Sequence, residues 1–284
     1  MKLAIIANTD KEGTKTLVPE FVSLLEREGI ETVLHESIMP VLGDGFSYVS
    51  VDRLFDGVDM IASFGGDGTF LHTARLAEGF DLPILGINLG KVGFLAEINP
   101  AEIDQIPQRL KNGDIEIFDR MAFCAAASSH DSYFALNDVV LDRNVDTRIL
   151  RLTVEIGGRY AGEIHADGLI LATPTGSTAH SMAAGGPLVM PECDVFVLTT
   201  ICPHSLTMRP MIVDGSKEIK ITVVEGLARM AVDGQSFVTV DAGSSVTVVK
   251  AASPVRVARF NEKTYFDLLH TRLNWGVSLK LKNA

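Results

Sequence analysis

Short β-branched runs alternate with amphipathic segments over the first third of the chain. Lys2 to Asn8 reads as a strand, Leu17 to Glu28 repeats its apolar residues at helical spacing and stops at Gly29, and Glu31 to Glu36 reads as a second strand. A glycine-containing stretch, Val41 to Ser50, follows. Asp59 to Phe64 predicts another strand, Thr69 to Glu78 a helix with Thr69 near its N-cap, and Leu82 to Asn88 the strand that completes a βαβ unit. Alternation of this kind predicts a parallel sheet with crossover helices.

From about Asp119 the pattern changes to closely spaced strands: Met121 to Ser128, Tyr133 to Leu141, Arg148 to Ile156, Arg159 to His165 and Leu169 to Thr173. Gly157-Gly158 reads as a tight hairpin turn. One short helix, Ala179 to Ala184, precedes further strands at Val195 to Thr200, Glu218 to Val224, Ala228 to Val232, Phe237 to Val240, Ser245 to Lys250 and Val255 to Arg259. The tail, Thr264 to Trp275, turns helical again. The expected fold is α/β plus all-β, with an N-terminal α/β domain over residues 1–118, a C-terminal β-rich domain over 119–262 and a tail over 263–284. No repeat or low-complexity linker separates the two domains, so they are expected to abut.

Charge narrows the range of partners. The 284 residues carry 25 basic and 36 acidic side chains, a formal net charge of −11, which disfavours a nucleic-acid backbone. At 46% hydrophobic and 21% charged, the composition is that of a globular protein rather than a disordered one. The first apolar run, Leu3 to Ala7, is too short for a secretory signal, and no stretch approaches the roughly 20 residues that span a bilayer. A cytoplasmic protein with no membrane partner is expected. Cys124, Cys193 and Cys202 form no CxxC pair and are expected to be reduced and mostly buried.

Two small-residue turns carry the candidate chemistry. Gly65-Gly66-Asp67-Gly68-Thr69 joins a strand to a helix, at the strand end where open α/β sheets bind ligands. Its uncrowded backbone and the helix N-terminus suit a phosphate, and Asp67 suits either a hydroxyl proton or a magnesium ion. Gly-Asp-Gly is also simply a good turn. It is neither a P-loop nor the dinucleotide fingerprint, which needs glycine where Leu71 stands. The second turn, Asp167-Gly168 through Thr173-Pro174-Thr175-Gly176-Ser177-Thr178-Ala179-His180, is again strand, turn and helix start. Its hydroxyls and His180 either orient a flat ligand or merely cap the helix.

Asn137-Asp138 sits in an otherwise apolar strand, where two adjacent polar side chains point to opposite faces, and one is costly if buried alone. Asp233-Gly234-Gln235 has the composition of a hairpin turn and by itself supports no functional reading. Neither HExxH nor GxSxG occurs, and the seven histidines make no pair at metal-ligand helical spacing. Arg148 follows Asn137-Asp138 closely enough to share a pocket, while His72 and His165 are open between structural and ligand roles.

Together, Gly65 to Thr69, Asn137-Asp138, Asp167-Gly168 and Thr173 to Ala179 occur in the order and approximate spacing of the NAD kinase family, and the resemblance spans nearly the whole chain. The glycine-aspartate turn alone is shared with diacylglycerol and sphingosine kinases. The resemblance implies a Rossmann-like N-terminal domain, a β-sandwich-like second domain whose tail returns to the first, and a homodimer or homotetramer. It implies phosphoryl transfer from ATP or polyphosphate to the 2′-hydroxyl of the adenosine ribose of NAD, with a divalent cation, Mg or Mn. Asp67 then corresponds to the general base and Gly68 lies against the nucleotide.

By the same resemblance Asn137 and Asp138 hold an adenosine portion, Asp167 lies near the nicotinamide end, and Thr178, Ala179 and Ala183 line the dinucleotide. His180, Ser181 and Met182 lie within the same segment, and His72, Arg148, His165 and Gln235 take further ligand-contacting places. His180 stands where the family often has tyrosine, and His165 where it often has lysine or arginine. A lipid kinase of the same superfamily and a non-catalytic NADP sensor are the competing readings.

Overall fold

A computed structural model describes residues 1–90, 92–127, 132–144, 148–260 and 264–276, which divide into two units. The first holds Met1–Leu76, Leu82–Phe118 and the described residues from Arg256 on. Its strands are β1 (Lys2–Ala7), β2 (Glu31–His35), β3 (Tyr48–Val49), β4 (Met60–Gly65), β5 (Ile84–Asn88) and β6 (Ile115–Arg120). Its helices are α1 (Thr14–Arg27), α2 (Met39–Leu42), α3 (Val51–Leu54), α4 (Asp67–Leu76) and α5 (Ile106–Asn112). The strands β3-β2-β1-β4-β5 lie side by side and pair in parallel.

Leu3 to Ala7 are buried throughout, as a central parallel strand covered on both faces requires. Val18, Phe21, Val22 and Leu25 form the buried stripe of α1, and the Phe21 ring meets Phe64 edge-on at 5.2 Å. The strand order reverses direction between β1 and β4, so their carboxyl ends border the sheet's topological switch point. α4 starts at Asp67, two residues earlier than expected, because the Phe70 N–H already donates to the Gly66 carbonyl. Thr69 therefore sits in the first turn instead of capping it.

The second unit comprises Ala77–Asp81 and Asp119–Val255. Its strands are β7 (Phe123–Ala127), β8 (Ser132–Ala135), β9 (Asp138–Arg143), β10 (Leu150–Ile156), β11 (Arg159–Ala166), β12 (Gly168–Ala172), β13 (Val195–Ile201), β14 (Met211–Asp214), β15 (Ile219–Glu225), β16 (Ala228–Val232), β17 (Ser236–Val240) and β18 (Ser245–Lys250). A 3₁₀ turn, Thr175–Thr178, leads into the single-turn helix α6 (His180–Ala183). Two antiparallel sheets, β11-β10-β15-β18-β7-β8 and β14-β13-β12-β9-β16-β17, share one apolar core. Leu152, Ile221 and Val246 come from one sheet, Leu141, Leu171 and Met230 from the other, and Phe123 meets Phe196 at 4.9 Å. The β10–β11 turn holds Gly157 at φ +56° and Gly158 at +73°, as a type I′ hairpin requires.

Two sequence expectations change here. Tyr133 to Leu141 is not one strand: β8 and β9 belong to different sheets, and Leu136-Asn137 forms the corner between them. Val255 to Arg259 does not join the β-rich unit either. The corresponding strand, β19 (Val255–Phe260), enters the first sheet between β5 and β6, pairing Val257 with Ile84 and Ala258 with Leu85 in parallel. Both side chains are buried, so this strand suits the middle of an α/β sheet. The chain re-enters the first unit at Arg256 rather than near 263, and continues into α7 (Tyr265–Leu273), whose Thr264–Asp267 capping box fixes its start.

All three cysteines are free thiols; Cys193 and Cys202 are exposed and Cys124 half-buried, contrary to the burial expected of them. Among the described residues no helix is long and apolar enough to cross a membrane.

Candidate active site

In the first unit, β4 delivers the glycine turn to the carboxyl edge of the sheet, and α4 begins on Asp67 itself. The Asp67 carboxylate accepts three backbone hydrogen bonds from one loop: Phe94 N–H to Oδ2 at 2.9 Å, and Leu95 and Ala96 N–H to Oδ1, both at 3.0 Å. A carboxylate offers about four lone-pair sites. Among the described residues the site left over is on Oδ2, and the other three fix where it points.

The loop closes this tightly because residue 93 is glycine: a Cβ there would fall on the Asp67 carboxylate. Gly93→Ala is therefore expected to push the loop off Asp67 and lower turnover at least about tenfold, the scale of losing one charge-assisted hydrogen bond. Steady-state kinetics at saturating substrate check this, and unchanged turnover would mean that the loop does not hold the carboxylate for catalysis.

Beside the turn, a cleft of about 490 Å³ opens at the carboxyl ends of β1 and β4. Gly66, Gly68, Thr69 and His72 line it together with Ile6, Ala7, Asn8, Thr9, Lys11 and Ser37. A Cβ at Gly66 or Gly68 would meet no atom within 4 Å, and neither has a positive φ, so the chain's own packing does not demand glycine at either position. Half-burial lowers the His72 pKa, with Arg75 and His35 adding to the effect, and the ring is neutral at pH 7.

In the second unit the decisive group is Asp233, in the β16–β17 turn at φ +48°. Its carboxylate accepts the N–H of Leu136 at 2.9 Å on Oδ2 and those of Asn137 and Asp138 at 2.8 and 3.0 Å on Oδ1. These three bonds break the expected strand at Asn137 and make the corner. The second small-residue turn locks onto the same place: Thr173 N–H donates to the Asn137 carbonyl at 2.9 Å, its hydroxyl to the Leu136 carbonyl at 2.6 Å, and Gly176 packs where a Cβ would strike the Asn137 carbonyl.

Asn137, Asp138, Ala179 and His180 line one cavity of about 340 Å³, with Asp233, Gly234, Arg229 and Phe237. Asp138 is buried, and burial plus the negative Asp233 raises its pKa to about 7. Across the cavity the Arg229 guanidinium lies 4.9 Å from the Phe237 ring and forks onto Asp142 at 3.1 and 2.8 Å.

The remaining expected residues lie outside both hollows. Most hydroxyls of the second turn serve the fold: Ser177 bonds the Val189 backbone, Thr178 donates to the Thr175 carbonyl at 3.1 Å, and the buried Ser181 meets the Thr199 hydroxyl at 2.9 Å. Of these hydroxyls, only that of Thr175, itself buried, has no partner among the described residues. Met182 is half-buried and Ala183 exposed on α6. Asp167 pairs with Arg143 at 3.1 Å, His165 bonds Glu163 at 2.8 Å on exposed β11, and Arg148 and Gln235 are exposed. Sequence reasoning missed the anchoring role of Asp233, the Gly93–Ala96 loop and the β1 side of the cleft. The last had a readable signal, since the first strand of an open α/β sheet ordinarily borders the switch point.

Among the described residues no group of three or more His, Cys, Asp or Glu side chains is placed to hold a metal ion. The protein alone offers no cage for the expected divalent cation there.

The chain matches the ATP-NAD kinase N-terminal domain over residues 3–115 and the ATP-NAD kinase C-terminal domain over 136–260. It is 38% identical to the NAD kinase of Halorhodospira halophila across 96% of this chain and 93% of that protein, and 34% identical to that of Geotalea daltonii across 97% and 99%. Among solved structures, yeast NADH kinase complexed with NADH covers the whole chain and 90% of its own at a TM-score of 0.90 and 25% identity. The NAD kinase from Archaeoglobus fulgidus in complex with ATP matches 96% of this chain and 99% of its own at a TM-score of 0.76 and 26% identity. Matched domain by domain and along nearly its full length, the chain belongs to the NAD kinase family.

Proposed function

We propose that Asp67 is the general base in transfer of the terminal phosphoryl group of ATP to the 2′-hydroxyl of the adenosine ribose of NAD. The chain is an NAD kinase, and neither the lipid-kinase nor the sensor reading is favoured by relatives that match it end to end. In the step proposed, the hydroxyl proton passes to Asp67, the 2′-oxygen forms its bond to the γ-phosphorus, and the bond from that phosphorus to the bridging oxygen breaks, releasing ADP. The observation that carries this role is the carboxylate fixed by three N–H donors with one acceptor site left on Oδ2. Alignment supplies much of the acceleration in phosphoryl transfer, so a base fixed in place is worth more than a mobile one.

Asn137, Asp138, Ala179 and His180 are the residues we assign to the dinucleotide, supported by their place around one cavity. Asp167 at the nicotinamide end, with Thr178, Ala183, Arg148, His165 and Gln235 as further contacts, rests on resemblance alone. A divalent cation, Mg or Mn, would supply charge neutralisation to the phosphoryl donor when bound. Polyphosphate as a second donor, a homodimer or homotetramer, and a cytoplasmic setting complete the reading, the last in keeping with three free thiols. The test is incubation with NAD, ATP and magnesium, with NADP read through an NADP-specific dehydrogenase. NADP is expected; none, even with polyphosphate, manganese or NADH substituted, would overturn the assignment.

A further inference from the structure

We propose that Lys11 is the cation that grips the phosphate chain of the phosphoryl donor, in the cleft at the carboxyl ends of β1 and β4; this rests on the kinase reading above. The cleft is large enough for a polyphosphate chain, and its polar wall is Asn8, Thr9, Lys11, Ser37 and the Gly66–Gly68 turn. In a chain of net charge −11, no carboxylate among the described residues lines it. Among the described residues Lys11 is the cationic side chain of that lining, because His72 is held neutral by burial and by Arg75 and His35. Gly66 and Gly68 leave open space that no protein atom fills, beside backbone at the start of α4.

The Lys11 backbone is tied down while its side chain is exposed. The Lys11 N–H donates to the Asn8 carbonyl at 3.4 Å, and its own carbonyl accepts from the Thr14 N–H at 3.0 Å, at the start of α1. The Asp10 N–H bonds the Asn8 side chain at 2.9 Å, which fixes the same loop. Among the described residues the Lys11 ammonium has no carboxylate partner. A fixed root, an unneutralised charge and a carboxylate-free cleft are the arrangement a polyanion requires.

Lys11→Met and Lys11→Arg, with the wild type, decide it. Lys11→Met is expected to raise the KM for ATP and the Kd for a non-hydrolysable ATP analogue at least about tenfold, with the KM for NAD within about twofold. Inhibition by tripolyphosphate against ATP is expected to weaken in parallel, and Lys11→Arg to recover most of each loss. An unchanged Kd for the analogue, or an equal rise in the KM for NAD, overturns the proposal. Weakened ATP with unaltered tripolyphosphate also overturns it, since Lys11 would then contact the nucleoside. If the wild type makes no NADP, the kinase reading fails and the analogue-binding arm still decides the role of Lys11.

Discussion

Asp67→Asn is expected to lower the rate of NADP formation by at least roughly two orders of magnitude, the usual scale for a positioned general base. The amide keeps one acceptor oxygen, enough for the Leu95 and Ala96 N–H groups, but turns an NH₂ toward the Phe94 N–H in place of Oδ2. One loop hydrogen bond is lost and two donors face each other, a cost of about 1–3 kcal/mol. The variant therefore melts lower than the wild type yet folds, and its NAD affinity, measured by calorimetry, is expected to change by only a few-fold because the dinucleotide residues assigned above lie in the second unit. Turnover at the wild-type rate would remove Asp67 from the chemistry. A loss of NAD binding equal to the loss of rate would make it a binding residue instead.

What the sequence made legible follows the range of the interactions involved. Strand, glycine turn and helix around Asp67 are local, as is the Gly157-Gly158 hairpin, and both stand within about two residues of where the pattern places them. The bounds of β16 and β18 also agree, because each has a buried core face and defined turns. Periodicity reports which face is buried but not what lies against it. The corner at Asn137 depends on a carboxylate about 95 residues away, and Asp67 is held by a loop 27–29 residues downstream. Asp233 looked like an ordinary turn residue because its work is done on another segment's backbone. β19 differs for the same reason: a short strand that mixes Val255, Val257 and Ala258 with two arginines fits a sandwich or a parallel sheet equally, and its neighbours decide. The hydroxyls from Thr173 to Ser181 marked the right segment, but most of them hold the turn together.

Asp138→Asn is expected to stabilise the protein more and more as the pH rises from 5 to 8. Burial and the neighbouring Asp233 charge raise the Asp138 pKa from the ordinary 3.8 to about 7, so the folded chain holds a proton that the unfolded chain has already lost. Between those two values the native state binds more protons than the unfolded state, and stability falls as the pH rises. The loss runs at about 1.4 kcal/mol per pH unit and levels off above the folded pKa, which makes about 4 kcal/mol an upper bound for this group. Asparagine carries no proton equilibrium, keeps the side chain's size and removes the like-charge contact with Asp233. Urea denaturation of both proteins at pH 5, 6, 7 and 8 measures the difference, expected to be smallest at pH 5 and to reach a few kcal/mol in favour of the variant at pH 8. A difference that does not vary with pH would mean that Asp138 ionises in the folded protein as it does in water. Asp233→Asn separates the two carboxyl groups: it relieves Asp138 of its neighbour's charge but turns an amide toward the N–H groups of the Leu136–Asp138 corner. It is expected to destabilise the fold at every pH, so the two substitutions at one buried pair should move stability in opposite directions at pH 8.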